Sequence, residues 1–94
     1  MLYWRVRTAV SKVIAEIVEV RGGRCSAGHE VGQVFVFTRE KTPSLCPWAM
    51  GALLPAVAVL LNNGNFYWAG EGEPTRWGCP DPDTTVVFSL RKEE

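Results

Sequence analysis

The sequence lacks an excess of charge of either sign, because ten Lys and Arg residues are balanced by ten Asp and Glu residues. No net field attracts a polyanion, so the sequence predicts neither nucleic-acid binding nor attachment to an anionic membrane. Its longest apolar stretch, 49–61, is too short to span a bilayer and contains Gly51 and Pro55. Arg5 and Arg7 stand where a secretory signal would be apolar, so we expect a cytoplasmic protein.

The motifs of several enzyme classes are also missing. Gly22-Gly23 and Gly28 lack the GxGxxG spacing and the Lys-Ser/Thr pair of phosphate-binding loops. The sequence shows no serine–histidine–aspartate order and no evident pair of catalytic carboxylates. We therefore expect binding rather than catalysis, although enzyme activity stays open.

What the sequence does contain is enough apolar material for one small core. At 94 residues the chain is too short for two cores, and its 47% of hydrophobic residues argues against disorder. We predict a single domain over 1–94, in which 1–9 form a loosely ordered lead-in.

Three segments have the residue pattern of strands. Residues 10–20 are rich in β-branched side chains, and their alternation slips near Ile17-Val18, which predicts a bulge. Residues 33–38 alternate Val and Phe, so both faces are apolar and we expect a strand that is central or covered on both sides. Residues 85–91 alternate apolar and polar side chains and predict the last strand.

Residues 47–62 are predicted to be helical, with Pro47 in the favoured first position and Asn62-Asn63-Gly64 as the end. Pro55 removes a hydrogen bond from the middle, so we expect one kinked helix or a helix pair. The aromatic-rich segment 66–77 is predicted to be irregular. The predicted fold is α+β: an antiparallel sheet of three to four strands, in the order β-β-α-β, packed on this helix or pair. Its helical core face is predicted to consist of Leu53, Leu54, Val57, Leu60 and Leu61.

The three cysteines and the single histidine stand near Gly or Pro, in loops or at the helix entry: Cys25, His29, Cys46 and Cys79. Three thiolates and an imidazole can fill a tetrahedral metal site, and we predict Cys25, Cys46 and Cys79 as metal ligands, with His29 as an optional fourth. Zinc suits sulfur and imidazole, and an iron–sulfur cluster is the alternative because Cys-Pro recurs beside cluster ligands. An odd number of cysteines in the cytoplasm argues against a disulfide framework.

Two other interpretations of the cysteines stay open. Cys46 precedes the predicted helix, whose dipole favours a negative sulfur, so it can act as a nucleophile or redox thiol with Cys25 or Cys79 as resolving partner. Alternatively, the cysteines are incidental buried residues of an interaction module, because free cysteine is among the most buried residue types. No Cys-x2-Cys knuckle is present to favour zinc over these alternatives.

Tryptophans lie close to the thiols in sequence. Trp48 and Trp68 are candidate walls of a small apolar pocket for an unspecified small molecule, and ordinary core packing is the alternative. A homo-oligomer is also compatible with the sequence.

The order of these motifs resembles a small family of bacterial and archaeal proteins of about this length. The family pattern is Cys, Gly-Gln/Asp-x-Phe, Cys-x-Trp/Ala, Gly-Gly-x-Phe-x-Trp, Cys-x-Asp and Val-x-Phe, and the similarity covers residues 12–91. The three cysteines fall on motif positions of this pattern, and the resemblance implies no particular activity. His29 matches only those members with a Cys-x2-Gly-His loop, and Asn63 replaces a glycine at a left-handed helix cap, which Asn tolerates. The matching residues are Cys25, Val31-Gly32-Gln33-Val34-Phe35, Leu45-Cys46-Pro47-Trp48-Ala49-Met50, Asn63-Gly64-Asn65-Phe66-Tyr67-Trp68, Cys79 and Val86-Val87-Phe88-Ser89-Leu90.

Overall fold

A computed structural model describes residues 10–70 and 72–94. The four strands form one antiparallel sheet in the order β2-β1-β4-β3, and the helix packs against one face of it. This confirms the predicted α+β fold, whereas the predicted lead-in over 1–9 lies outside the described residues. In chain order the elements are β1 (Lys12–Arg21), β2 (Val34–Thr38), α1 (Pro47–Leu61), β3 (Thr75–Gly78) and β4 (Thr85–Glu93).

β1 and β4 form the centre of the sheet. They pair along nearly their whole length, and their register shifts between Ile17 and Glu19. The bulge predicted at this point is therefore confirmed. The shift changes which positions face α1, so that Ile17 before it and Val20 after it both contact the core.

β2 is an edge strand, so the expectation that it is central or covered on both sides is wrong. Phe35 and Phe37 pack on the core, but Val34 and Val36 are 54% and 42% exposed on the opposite face. Valine is common in strands because its branched side chain suits the pleated backbone. The valines on the second face of β2 therefore reflect strand preference and did not indicate that this face is buried.

α1 is a single helix that continues through Pro55, so the alternative of a helix pair is wrong, and the kink at Pro55 stays a prediction. Pro55 cannot donate to the carbonyl of Gly51. Both residues lie on the exposed side of the helix, where water can replace the missing hydrogen bond. Among the described residues, no helix is long and apolar enough to cross a membrane.

The buried side of α1 differs from the prediction at one leucine. Leu54 is 40% exposed, because it lies one step around the helix beyond the buried stripe, so its assignment to the core face is wrong. Two alanines take part instead, and they let the helix approach the sheet closely. The buried residues of α1 are Ala49, Leu53, Ala56, Val57, Leu60 and Leu61.

The end of α1 is closed by the turn that Asn63 was predicted to form. Asn63 has a φ of 62°, and its N–H donates to the carbonyl of Leu60 at 2.9 Å. The N–H of Gly64 donates to the carbonyl of Val59 at 2.8 Å, which completes a Schellman motif.

β3 lies within the segment that was predicted to be irregular. It has four residues and pairs only with β4, from Thr75 opposite Leu90 to Gly78 opposite Val87. The aromatic residues before it pack on one another rather than alternating along a strand. Phe66 stacks on Trp68 with ring centroids 4.9 Å apart.

Glu19 is the centre of an ion-pair group on the open face of the sheet. Its carboxylate accepts hydrogen bonds from Arg21 at 2.8 Å and Arg76 at 3.1 Å. The hydrogen bond from Arg21, together with the attraction of both guanidinium groups, lowers the pKa of Glu19 below its ordinary value of 4.5. A carboxyl whose pKa is lowered on folding stabilises the folded state above its unfolded pKa, and this contribution is lost as the pH falls through the folded pKa.

Replacing Glu19 with Gln is therefore expected to lower the Tm slightly at neutral pH and not at all at strongly acid pH. The effect is small because the ion pairs are exposed to solvent. Thermal melts of both proteins across the acid range measure it. A Tm difference that does not shrink below pH 4.5 would contradict the assignment.

Candidate functional site

One cavity of about 230 Å³ brings together all three cysteines, which are widely separated in sequence. Each is a free thiol of intermediate exposure, and each packs against the edge of the hydrophobic core. We call this the cysteine cavity. It is lined by Cys25, Ser26, Ala27, Cys46, Pro47, Trp48, Cys79, Asp81 and Thr84.

Cys79 is fixed by the β3–β4 hairpin. Its N–H donates to the carbonyl of Val86 at 3.0 Å, and its Sγ accepts the N–H of Val86 at 3.2 Å. The same sulfur lies 3.8 Å from the carbonyl of Thr84, to which its S–H donates. Its position therefore follows from the pairing of the two strands.

Asp81 holds the turn of that hairpin. Its Oδ1 accepts the N–H groups of Asp83 at 2.9 Å and Thr84 at 3.2 Å, and its carbonyl accepts the hydroxyl of Thr85 at 2.7 Å. An Asp that bonds the backbone two residues later is typical of tight turns. The Asp-Pro-Asp sequence is the signal that predicts such a turn, but it did not predict that Asp81 and Thr84 would line a cavity.

The Cys25 loop is tied to this hairpin by a close backbone approach at Gly22. Gly22 has a φ of 87°, and a Cβ placed on it would overlap the carbonyl oxygen of Asp83. Glycine therefore allows the chain leaving β1 to pass directly against the turn that follows Cys79. A second turn, closed by the N–H of Gly28 on the carbonyl of Cys25 at 2.9 Å, then presents Cys25 to the cavity.

Cys46 is the N-cap residue of α1, and no side chain caps this end of the helix. Its carbonyl accepts the first helical bond, from Met50 at 2.9 Å. Its own N–H donates to Nε2 of His29 at 3.4 Å, and the His29 ring meets Phe35 edge-on with centroids 5.5 Å apart. His29 thus links the Cys25 loop to the start of the helix.

His29 does not line the cysteine cavity. It lies on a neighbouring cavity of about 240 Å³, which it shares with Cys25, Arg24 and Glu30. Its Nε2 is already engaged, because it accepts the Cys46 N–H at 3.4 Å. The role of His29 as a metal ligand stays a prediction.

The two tryptophans predicted as pocket walls occupy different surroundings. Trp48 lines the cysteine cavity and also a second cavity of about 270 Å³ beside Pro80 and Asp81. Trp68 does not line the cysteine cavity, and its Nε1 donates to the hydroxyl of Thr75 at 3.1 Å. It belongs to an aromatic cluster that includes Trp77 of β3, with the two ring centroids 6.0 Å apart.

The cysteines share a cavity without forming a ready-made ligand set. Over 10–70 and 72–94, no group of three or more His, Cys, Asp or Glu side chains is arranged to hold a metal ion. The thiols therefore line the cavity wall and do not converge on one point. What the arrangement offers chemically is three free thiols on the wall of one cavity.

Comparisons of the chain with protein-family models, with curated proteins and with solved structures found no match. The resemblance to the three-cysteine family therefore stays a prediction. The function has to be argued from the cysteine cavity itself.

Proposed function

We propose that the cysteine cavity binds a thiophilic metal, zinc or an iron–sulfur cluster, through Cys25, Cys46 and Cys79. The observation that carries this proposal is that all three free thiols line the same cavity. Cysteines that only fill the core are not expected to lie around one cavity, because a free thiol packs as a small apolar side chain at any buried position. The role that follows is binding or structural rather than catalytic.

Binding requires the three side chains to rotate toward the centre of the cavity, since they form no preformed ligand group. Turning a side chain away from its preferred rotamer costs about 0.5–1.5 kcal/mol. Structural zinc sites in small peptides supply about 10–16 kcal/mol at neutral pH. The expected gain from the metal is therefore larger than the cost of reorienting three half-buried thiols.

His29 is the candidate for a fourth metal ligand beside the three thiols. His29 would have to release the N–H of Cys46 in order to bind a metal, and both residues belong to segments that adjoin the cavity. The proposal therefore requires three sulfur ligands and gives His29 the fourth position only after this hydrogen bond breaks.

Titration with Co²⁺ under anaerobic conditions tests the proposal. We expect thiolate-to-cobalt charge-transfer absorption in the unaltered protein and binding at least about 100-fold weaker in a Cys46→Ser variant, since even the loss of an outer-shell partner costs 10–100-fold. Ser26→Ala changes a residue that lines the same cavity but carries no sulfur, so it should leave binding unchanged.

The Cys46→Ser substitution also separates the effect on protein stability from the effect on metal binding. Serine is a better N-cap than cysteine, so Cys46→Ser should not destabilise the metal-free protein. Addition of zinc should raise the Tm of the unaltered protein and protect Cys25 and Cys79 from alkylation, and both effects should disappear in the variant. If neither protein binds metal, the proposal is wrong.

The second candidate is a thiol reaction at Cys46. The specific observation in its favour is that Cys46 caps a helix end with no side-chain partner, while two further thiols line the same cavity. With a peroxide as oxidant, the Cys46 sulfur takes one peroxide oxygen as the O–O bond breaks, which leaves a sulfenic acid and releases water or an alcohol. Cys25 or Cys79 then displaces water to form a disulfide. Peroxide reactivity that Cys46→Ser abolishes, in a protein that binds no metal, would favour this candidate.

A further inference from the structure

The outer face of α1 is apolar from end to end. None of its fifteen residues carries a charged side chain, and the indole N–H of Trp48 is their one strong side-chain hydrogen-bond donor. Surface helices normally carry charged and polar residues on the side away from the core. The exposed residues, which we call the outer face, are Pro47, Trp48, Gly51, Leu54, Pro55, Ala58 and Val59.

Gly51 has no role within the chain that explains its presence on this face. A Cβ placed on it would meet nothing within 4 Å, so no intramolecular contact requires a glycine. Glycine inside a helix is destabilising relative to alanine. A residue that lowers helix stability without an internal reason fits a surface on which another backbone approaches closely.

The charge of the outer face indicates which kind of partner fits. A membrane-surface helix needs basic side chains for anionic lipid, and α1 has none in its last turn. A second copy of this chain meets no such obstacle, because two uncharged faces bring no like charges together. An antiparallel arrangement also sets each helix dipole against the opposite one.

The size of the face indicates how strong such a contact is. A helix of fifteen residues is about 22 Å long and about 10 Å wide, so a helix pair covers only a few hundred Å² on each copy. Stable interfaces bury about 800 Å² per partner. The expected dimer is therefore weak, with a Kd on the order of micromolar or higher.

We propose that the outer face of α1 is the contact between two copies of this chain. The helices lie antiparallel across a two-fold axis that passes close to Leu54, which is halfway along the length of α1, so that Leu54 lies close to its own counterpart. Trp48, which is 71% exposed, then packs against the far end of the partner helix as the aromatic anchor. Because Trp48 also lines the cysteine cavity, this contact covers part of the cavity wall. The proposal does not depend on metal binding.

Sedimentation velocity of the full chain over a wide range of concentrations tests the contact. We expect a concentration-dependent dimer for the unaltered protein, and monomers for Leu54→Lys and Leu54→Glu, each with at least a tenfold weaker association. Since position 54 faces itself across the axis, mixing the two variants should restore a dimer through opposite charges. Val34→Lys places the same charge on the open face of the sheet and should leave the dimer intact.

Several outcomes would overturn the proposal. These are a monomer at every concentration, a dimer that survives both Leu54 substitutions, a dimer abolished only by Val34→Lys, and a monomer that binds neutral phosphatidylcholine vesicles. If the Leu54 variants lose their helical circular dichroism, Ala58→Glu on the same face takes their place, and a dimer that survives it contradicts the contact.

Discussion

Replacing Leu53 with alanine is expected to lower the free energy of unfolding by about 2–5 kcal/mol, the range found for buried leucines. Leu53 is fully buried between α1 and the sheet, where it belongs to the core cluster with Ile17 and Phe88. The substitution removes apolar contacts and leaves a cavity that the close-packed surroundings fill only in part. Urea unfolding followed by circular dichroism measures the change.

The next residue along the helix provides the control. Leu54 has the same chemistry and the same helical neighbours but is 40% exposed, so Leu54→Ala should cost about 1 kcal/mol or less. The difference between the two variants isolates burial from helix propensity. Equal losses in both would mean that the helix does not pack on the sheet through the Leu53 side.

Replacing Gly22 with alanine is the second substitution for which we expect a large loss. The left-handed backbone costs about 1–2 kcal/mol for a residue with a Cβ. The overlap of that Cβ with the carbonyl of Asp83 adds about 1–3 kcal/mol, as overpacked sites do. Because the overlap forces the Cys25 loop away from the hairpin turn, alkylation of Cys25 and Cys79 should also become faster.

A Gly28→Ala variant separates the cost of the left-handed backbone from the cost of the overlap with Asp83. It has a φ of 82°, close to that of Gly22, but a Cβ placed on it would meet nothing within 4 Å. Gly28→Ala should therefore show the backbone cost alone and leave the alkylation rate of Cys79 unchanged. If Gly22→Ala is no worse than Gly28→Ala, the close approach of the two loops is not important for stability.

The sequence contained most of the information needed for the strands and the helix, and the errors have physical causes. The slip in alternation at Ile17-Val18 predicted the bulge because side-chain period is a local property. Val34 and Val36 were misassigned because strand preference does not depend on whether a neighbouring layer exists. β3 was missed because Trp77 and its aromatic neighbours follow no two-residue alternation, and a four-residue strand carries little periodic signal.

The candidate site could be predicted only in part. That the cysteines lie in loops or at a helix entry followed from the adjacent Gly and Pro residues, whereas their meeting at one cavity depends on the tertiary arrangement of the sheet. The hydrogen bond from Cys46 to His29 joins two segments that no local pattern relates. The absence of a ligand set among the described side chains depends on rotamers, which the sequence does not specify.

The central position of β1 and β4 has a consequence for the synthesis of this protein. These strands are the first and the last of the described elements, so the middle of the sheet is complete only when the ribosome has made the chain as far as Glu93. Pairing between such distant segments is slow compared with helix formation. The three thiols therefore leave the ribosome one after another as separate groups, and the cavity that they share forms only once the last strand has paired.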